Sequence, residues 1–372
     1  MDKKVIVAGH ICLDITPVFP DIKRNKVSEV LMPGKLIETK AASVSTGGAV
    51  ANTGLAMKIL GADVRLMGKV GMDDFGEMIC NILKRYDADK DMIKAADEAS
   101  SYSVVLAIPG IDRIFLHCPG TNNTFSADDI LEKDLQEASL FHFGYPPLMK
   151  RMYEDDGKHL VALFKKAKDM GCATSLDLAA VDPGSEAGRA DWEKILKNVM
   201  PYVDFFVPSI EELCFMIDKD RFYEWQKRAG DTDLTNILDL DKDIRPLADK
   251  CMDMGCKVLL LKCGAPGLYY RTASRDVLGN ISERLSLDID SWADHEGFER
   301  SYKPDAVLSG TGAGDTSIAA YLTSMLDGKG SEECIKLAAA TGACCVSAYD
   351  ALSGLKPLKE LEKRIEKGWD KI

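Results

Sequence analysis

The residues best placed by type and spacing to do chemistry form one run, Ser309-Gly310-Thr311-Gly312-Ala313-Gly314-Asp315-Thr316. Three glycines alternate with small residues, and a helical stretch follows. Backbone free of bulky side chains lets a ligand come close, and N–H groups ahead of a helix N-terminus gather an anion. A phosphoryl group suits such a site because its charge is spread over equatorial oxygens. Asp315 would stand at the helix start, where a carboxylate can take a proton from a hydroxyl attacking phosphorus. An isolated Asp after one glycine reads more simply as a helix N-cap. The density of glycines ahead of this one favours chemistry. A second glycine site, Gly47-Gly48-Ala49-Val50-Ala51-Asn52, ends a β-like stretch and opens a helix. Paired glycines let a hydroxylated ligand reach backbone N–H groups, and the Asn52 amide both donates and accepts. A tight turn with a surface Asn accounts for the same residues equally well.

Both runs need a scaffold that sets a helix N-terminus beside strand ends. Short apolar runs at 5–8, 104–108, 140–143, 173–178, 205–207 and 258–261 read as buried strands. Helical periodicity fills 49–60, 75–86, 127–138, 159–170, 191–199 and 244–254, with two long helices over 315–326 and 332–349. Such alternation predicts an α/β fold with a mostly parallel, helix-covered sheet. Ligands in such sheets bind outside the carboxyl ends of the strands. Segments 14–46 and 101–123 fit poorly. They read either as strands of a small separate sheet or as two long loops. Segment 218–248 is polar and charged, with Phe222 and Trp225, and reads as a surface insertion.

Composition removes several function classes. The chain has 372 residues, with 47 Lys+Arg against 59 Asp+Glu and a net charge of −12. That balance argues against nucleic-acid binding, which needs a basic footprint. Eleven cysteines include no Cys-x-x-Cys pair, and the five histidines are scattered, so zinc-ribbon and thioredoxin-type motifs lose support. No P-loop, dinucleotide fingerprint or Gly-x-Ser-x-Gly elbow occurs. Asp74-Phe75-Gly76 spells a kinase triplet without the His-Arg-Asp loop that should precede it. No apolar run is long enough for a membrane span, and the first is too short for a signal peptide, so a cytoplasmic protein is expected.

The two glycine sites, in this order, resemble the ribokinase-like (PfkB) family of carbohydrate kinases. Four further stretches carry the resemblance: Gly9-His10-Ile11-Cys12-Leu13-Asp14, Gly68-Lys69-Val70-Gly71-Met72-Asp73-Asp74-Phe75-Gly76, Pro119-Gly120-Thr121-Asn122 and Lys262-Cys263-Gly264-Ala265-Pro266-Gly267. Each is weak alone; together, in family order, they are specific and span nearly the whole chain. The resemblance implies one ribokinase-like domain over 1–372. Its mostly parallel sheet would carry helices on both faces, and 14–46 and 101–123 would form a β-lid over the substrate. It implies ATP-dependent transfer to a sugar hydroxyl, with Asp315 as general base and Gly312, Ala313 and Gly314 as anion hole. Asp14, Gly47, Gly48, Asn52 and Asn122 would bind the acceptor. Ser209, Lys262, Gly264 and Gly267 would line the nucleotide site, and Glu212 would hold Mg2+ through water.

Two positions depart from the family pattern. Its Asn-x-x-Glu motif appears as Ser209-Ile210-Glu211-Glu212, which keeps the acid and loses the amide. Members that bind a monovalent cation carry an Asp six residues before the base; here Ser309 stands there, which argues against potassium activation. A nucleoside kinase is the nearest alternative, with Phe19, Phe115 and Phe125 as aromatic candidates for a base platform. A non-catalytic sugar-binding regulator is the alternative of another class. Arg113 and Lys40 are candidates for reading a phosphate on the acceptor. Partners are expected to be the sugar and ATP, without nucleic acid or membrane, and pairing of lids in a homodimer is left open.

Overall fold

The computed structural model describes residues 3–21, 23, 26–111 and 113–372. Residues 1 and 2, residues 22, 24 and 25 of segment 14–46, and residue 112 of segment 101–123 lie outside the described residues. The strands, in chain order, are β1 (Lys4–Gly9), β2 (Cys12–Val18), β3 (Lys40–Gly47), β4 (Asp63–Met67), β5 (Lys69–Gly71), β6 (Ile93–Ala95) and β7 (Tyr102–Leu106). They continue as β8 (Ile114–Cys118), β9 (Ala138–Gly144), β10 (Ala173–Leu176), β11 (Phe205–Phe206), β12 (Val258–Lys262), β13 (Gly267–Thr272) and β14 (Glu296–Arg300).

Eight of them build one sheet in the order β14-β13-β12-β11-β10-β9-β1-β4. From β12 to β4 the neighbours run parallel; β13 and β14 turn back antiparallel. The apolar runs explain the burial, since a strand covered on both faces has no polar side to show. Along β1, Val5 and Val7 enter the core on one face, while Ile6 and Ala8 enter the core on the other. Leu260 and its neighbours Leu259 and Leu261 divide the same way in β12. The helices Ala49–Ile59, Ala313–Leu326 and Ser331–Cys345 cover the first face. The helices Lys158–Asp169, Trp192–Val199, Ile210–Ile217 and Arg245–Asp253 cover the second. The fold is therefore the expected α/β sheet with helices on both faces. Among the described residues, no helix is long and apolar enough to cross a membrane.

A four-stranded sheet, β3-β2-β7-β8, stands apart from the main one. β2 pairs antiparallel with β3 and parallel with β7, and β7 pairs antiparallel with β8. Only His10 and Ile11 separate β1 from β2, so this sheet starts at the carboxyl end of the main one. The run expected as a core strand at 104–108 belongs here: its first three residues end β7, and 107 and 108 lie beyond it.

Other readings need correction. The helix expected over 127–138 breaks in two: a 3-10 turn Ala127–Asp129, closed by a Ser126–Asp129 capping box, then the helix Glu132–Glu137. Strands β4, β13 and β14 carry charged residues at their ends or along an edge, which hides them from an apolar-run search. The triplet Asp74-Phe75-Gly76 is the first turn of the helix Asp74–Lys84, capped by Asp73, whose carboxylate accepts from the Gly76 N–H at 2.8 Å. Segment 218–248, expected as a surface insertion, packs partly into the core. It forms the helix Lys219–Ala229 and the turns after it, and Trp225 is fully buried there with its indole N–H on Asp243 at 2.9 Å. A Trp supplies too much apolar area to leave in water.

Candidate active site

The carboxyl ends of β1, β9, β10, β11 and β12 and the N-terminus of the helix Ala313–Leu326 meet at one place. Gly312 caps that helix with φ of 75°. A Cβ there would come within 2.3 Å of the Ala351 Cβ. Only glycine supplies both the left-handed backbone and the clearance. Ala351 is held by an Asp350 turn, in which one carboxylate oxygen accepts from the Leu352 and Ser353 N–H groups at 2.9 and 2.8 Å. Asp315 lies in the helix's first turn with 5% exposure.

Three side chains hold its carboxylate. Asn52 donates its amide to Oδ2 at 3.0 Å, and Thr53 donates its hydroxyl to Oδ1 at 3.2 Å. The Tyr145 hydroxyl reaches both oxygens, at 2.7 and 2.9 Å. Asn52, expected as an acceptor contact, therefore has its amide on Asp315. Thr53 and Tyr145 were not among the expected site residues. Tyr145 follows directly on β9 and precedes Pro146, with φ of 69° and ψ of 40°. A bulky residue in the left-handed region is strained by about 1–3 kcal/mol and persists where its surroundings demand it. Burial, with Asp315 beside it, pushes the Tyr145 phenol well above its ordinary range, so it stays a donor.

A second charged group lies next to the first. Lys262, at the end of β12, pairs with Asp177, at the end of β10, at 2.6 Å. A Cβ on residue 314 would sit 3.2 Å from Lys262 Cδ, so the lysine stem runs across the helix N-terminus. Burial pushes the Asp177 carboxyl up to about 8; Lys262 opposes this, while Glu212 and Asp315 add to it. Burial disfavours the Lys262 charge, but Asp177 and Glu212 outweigh it and raise its pKa. Asp177 Oδ2 is buried and, among the described residues, has no hydrogen-bond partner. Asp177 was also missed; an acid at a strand end is its only trace in sequence.

Glu212 and Ser209 form a capping box at the helix Ile210–Ile217. The Glu212 Oε2 accepts from the Ser209 N–H at 3.0 Å, and Ser209 Oγ accepts from the Glu212 N–H at 3.2 Å. Glu212 Oε1 is not used by that cap. Among the described residues, no group of three or more His, Cys, Asp and Glu could hold a metal ion by itself. Mg2+ in phosphate sites needs only one or two carboxylates, with waters and phosphate oxygens completing the shell. Glu212 beside the unpartnered Asp177 oxygen fits that requirement.

Of the expected nucleotide-side glycines, Gly264 and Gly267 shape the β12–β13 hairpin, with φ of 63° and 144°. A Cβ on Gly264 would fall 2.4 Å from Thr235 Oγ1, so the 218–248 segment backs this hairpin. Ser309 makes a local turn, accepting from the Thr311 N–H at 3.1 Å.

On the acceptor side, Asp14 lies against Gly47: a Cβ on that glycine would be 2.2 Å from Asp14 Oδ2. Burial raises the Asp14 pKa, and the Cys12 thiol donates to its Oδ1 at 3.3 Å. Gly48, with φ of 89°, opens the helix that carries Asn52 and Thr53. Asn122 is buried, and its amide spans Ile11, accepting from the N–H at 3.2 Å and donating to the carbonyl at 2.9 Å. It clamps the β1–β2 turn from below. Phe125 is fully buried, 5.8 Å from the Phe143 ring, so it forms core and no platform. Arg113 donates to Thr311 Oγ1 on the glycine loop. Lys40 pairs with Val18 while Gly47 pairs with Cys12. That puts Lys40 seven residues along β3 from the glycine turn, roughly 23 Å at about 3.3 Å per residue.

The model of a family described as pfkB family carbohydrate kinase matches residues 2–357. An uncharacterized sugar kinase of Archaeoglobus fulgidus is 24% identical over 306 residues, covering 81% of this chain and 98% of that protein. Fructokinase-1 of Oryza sativa subsp. japonica is 26% identical over 375 residues, covering 97% of each. Among solved structures, a fructokinase with bound ATP from Xylella fastidiosa superposes with a TM-score of 0.71 at 16% identity, covering 99% of both chains.

Proposed function

The chain belongs to the pfkB family of carbohydrate kinases, and from that premise we propose that it moves the γ-phosphoryl group of ATP to a hydroxyl of a sugar. The observation that carries this reading is the Asp315 carboxylate, fixed by Asn52, Thr53 and Tyr145 at the mouth of a glycine-capped helix. Asp315 takes the proton of the acceptor hydroxyl. The freed oxygen attacks the γ-phosphorus, a new O–P bond forms, and the bond to the β-phosphate oxygen breaks, leaving ADP with the electron pair. The N–H groups of Gly312 and Gly314 would face the charge that builds on the transferred group, where fixed dipoles need no rearrangement, while that of Ala313, expected to join them, donates to the Gly310 carbonyl at 3.3 Å. Lys262 adds a cation beside them. Mg2+, held by Glu212 and Asp177 through oxygen and water, would neutralise phosphate charge. Val307, Leu308 and Tyr349 are 76%, 45% and 79% exposed beside the loop. They offer an apolar surface for the nucleotide base.

The acceptor would lie between Asp315 and Asp14, over Gly47 and Gly48. Catalysis in such a site is mostly positioning plus charge stabilisation. Titration calorimetry separates the two halves. Asp14→Ala is expected to weaken sugar binding at least ~10-fold, as loss of a charged hydrogen bond does, with ATP affinity unchanged. Equal sugar binding by the variant would remove Asp14 from the acceptor site.

A further inference from the structure

The ring of His10 is 2% exposed, and among the described residues neither Nδ1 nor Nε2 has a hydrogen-bond partner. An unmade buried hydrogen bond is costly, and native folds keep one where function uses it. The backbone around this ring is fixed: the His10 N–H donates to the Gly144 carbonyl at 3.2 Å, and its carbonyl accepts from the Val50 N–H at 3.2 Å. A Cβ on residue 48 would stand 2.6 Å from His10 Nδ1, so only glycine fits against that edge of the ring. The His117 ring, from β8 of the second sheet, lies 5.3 Å away, and the Tyr145 ring lies 6.0 Å away. One imidazole thus touches the glycine turn, the second sheet and the tyrosine that holds Asp315.

Burial, with His117 beside it, pushes the His10 imidazole down to about 3. At neutral pH it is uncharged, with one ring N–H to donate and one nitrogen to accept. A hydroxyl can answer either nitrogen. Asp14 and Asp315 flank the same space, and two carboxylates repel an anionic acceptor. Of the two candidates for reading a phosphate, Arg113 has a guanidinium N–H on Thr311 of the glycine loop, and Lys40 lies at the far end of β3.

We propose that His10 is a specificity-determining residue whose two ring nitrogens take hydroxyls of an uncharged polyhydroxylated acceptor, a free sugar or polyol and not its phosphate ester. This rests on the kinase reading above. The test uses the full chain with Mg-ATP, following ADP release against free sugars, polyols and their phosphates, for wild type, His10→Leu and His10→Asn. Calorimetric ATP affinity and thermal melting are measured alongside. His10→Leu is expected to raise KM for the best neutral acceptor at least tenfold while ATP affinity stays within twofold. His10→Asn, which keeps a donor and an acceptor, is expected to recover part of that loss. A folded His10→Leu with acceptor KM within twofold of wild type overturns the proposal. So does wild-type preference for a phosphorylated acceptor over its neutral parent. Should the leucine variant not fold, the asparagine variant decides: a changed order of preference among neutral acceptors supports the role, and an unchanged order with unchanged KM overturns it. If wild type turns over no acceptor, the kinase reading fails on its own. Titration of the neutral sugars into wild type and His10→Asn then decides the present point: weaker binding by the variant supports it, and equal binding, or none by wild type, overturns it.

Discussion

Tyr145 places one hydroxyl on both oxygens of Asp315 and accepts a strained backbone to do so. The carboxylate is thereby held in one orientation before the acceptor arrives. Tyr145→Phe removes that hold and keeps the ring. It is expected to lower kcat about tenfold, the scale of a lost orienting contact, with KM for ATP within twofold. Steady-state kinetics checks this, and wild-type kcat in the variant would mean the hydroxyl does not orient the base. Residues of this kind were the least legible in the sequence. Asp315 announces itself through the glycines before it. Tyr145 and Asp177 are single residues at strand ends and Thr53 one residue within a helix, and no spacing links them to Asp315. Asn122 shows the opposite error, since its place in a motif suggested ligand contact while its amide is spent on Ile11.

The element that does most is the loop from Ser309 to Gly314 with the helix behind it. Its shape depends on Gly312, where a methyl group would meet the left-handed φ of 75° and the Ala351 side chain at 2.3 Å. Gly312→Ala is expected to cost about 1–3 kcal/mol of stability and to lower kcat more than ATP affinity, because it displaces the N–H groups proposed to meet the transferred charge. Thermal melting beside kinetics reads both, and an unchanged melting temperature would contradict the packing argument. Glycine loops were legible because glycine density is written in the sequence and has few other uses. The sheet edges were not. β4 and β14 carry charged residues that keep an edge from pairing with another chain, and these mask the apolar run that marks a strand. The buried strands β1, β9, β10 and β12 were readable because both of their faces meet helices.

At the scale of the whole molecule, the sheet buries polar groups as well as apolar ones, and these tie stability to pH. Burial, with Lys262 nearby, pushes His142 down to about 3; its Nδ1 lies 3.0 Å from Ser175 Oγ. An unfolded histidine takes up its proton near pH 6.5. Between these values the unfolded chain binds a proton that the folded chain does not, so His142 favours folding above about pH 6.5 and loses that contribution as pH falls. His142→Asn is expected to flatten the fall of unfolding free energy between pH 6 and 4 by about 1.4 kcal/mol per pH unit. Denaturant melts across that range check it, and parallel curves for the two proteins would contradict it. The fold class followed from the alternation of strands and helices. The depth of the 218–248 segment did not, because one buried Trp225 among many charges anchors it to the core. On the proposed reading, this whole scaffold serves one proton transfer at Asp315. ADP release from Mg-ATP across a panel of sugars, sugar phosphates and nucleosides, with Asp315→Ala run beside wild type, tests this most directly. Sugar-dependent turnover is expected, falling at least ~10²-fold in the variant; wild-type turnover in Asp315→Ala would remove Asp315 as the base.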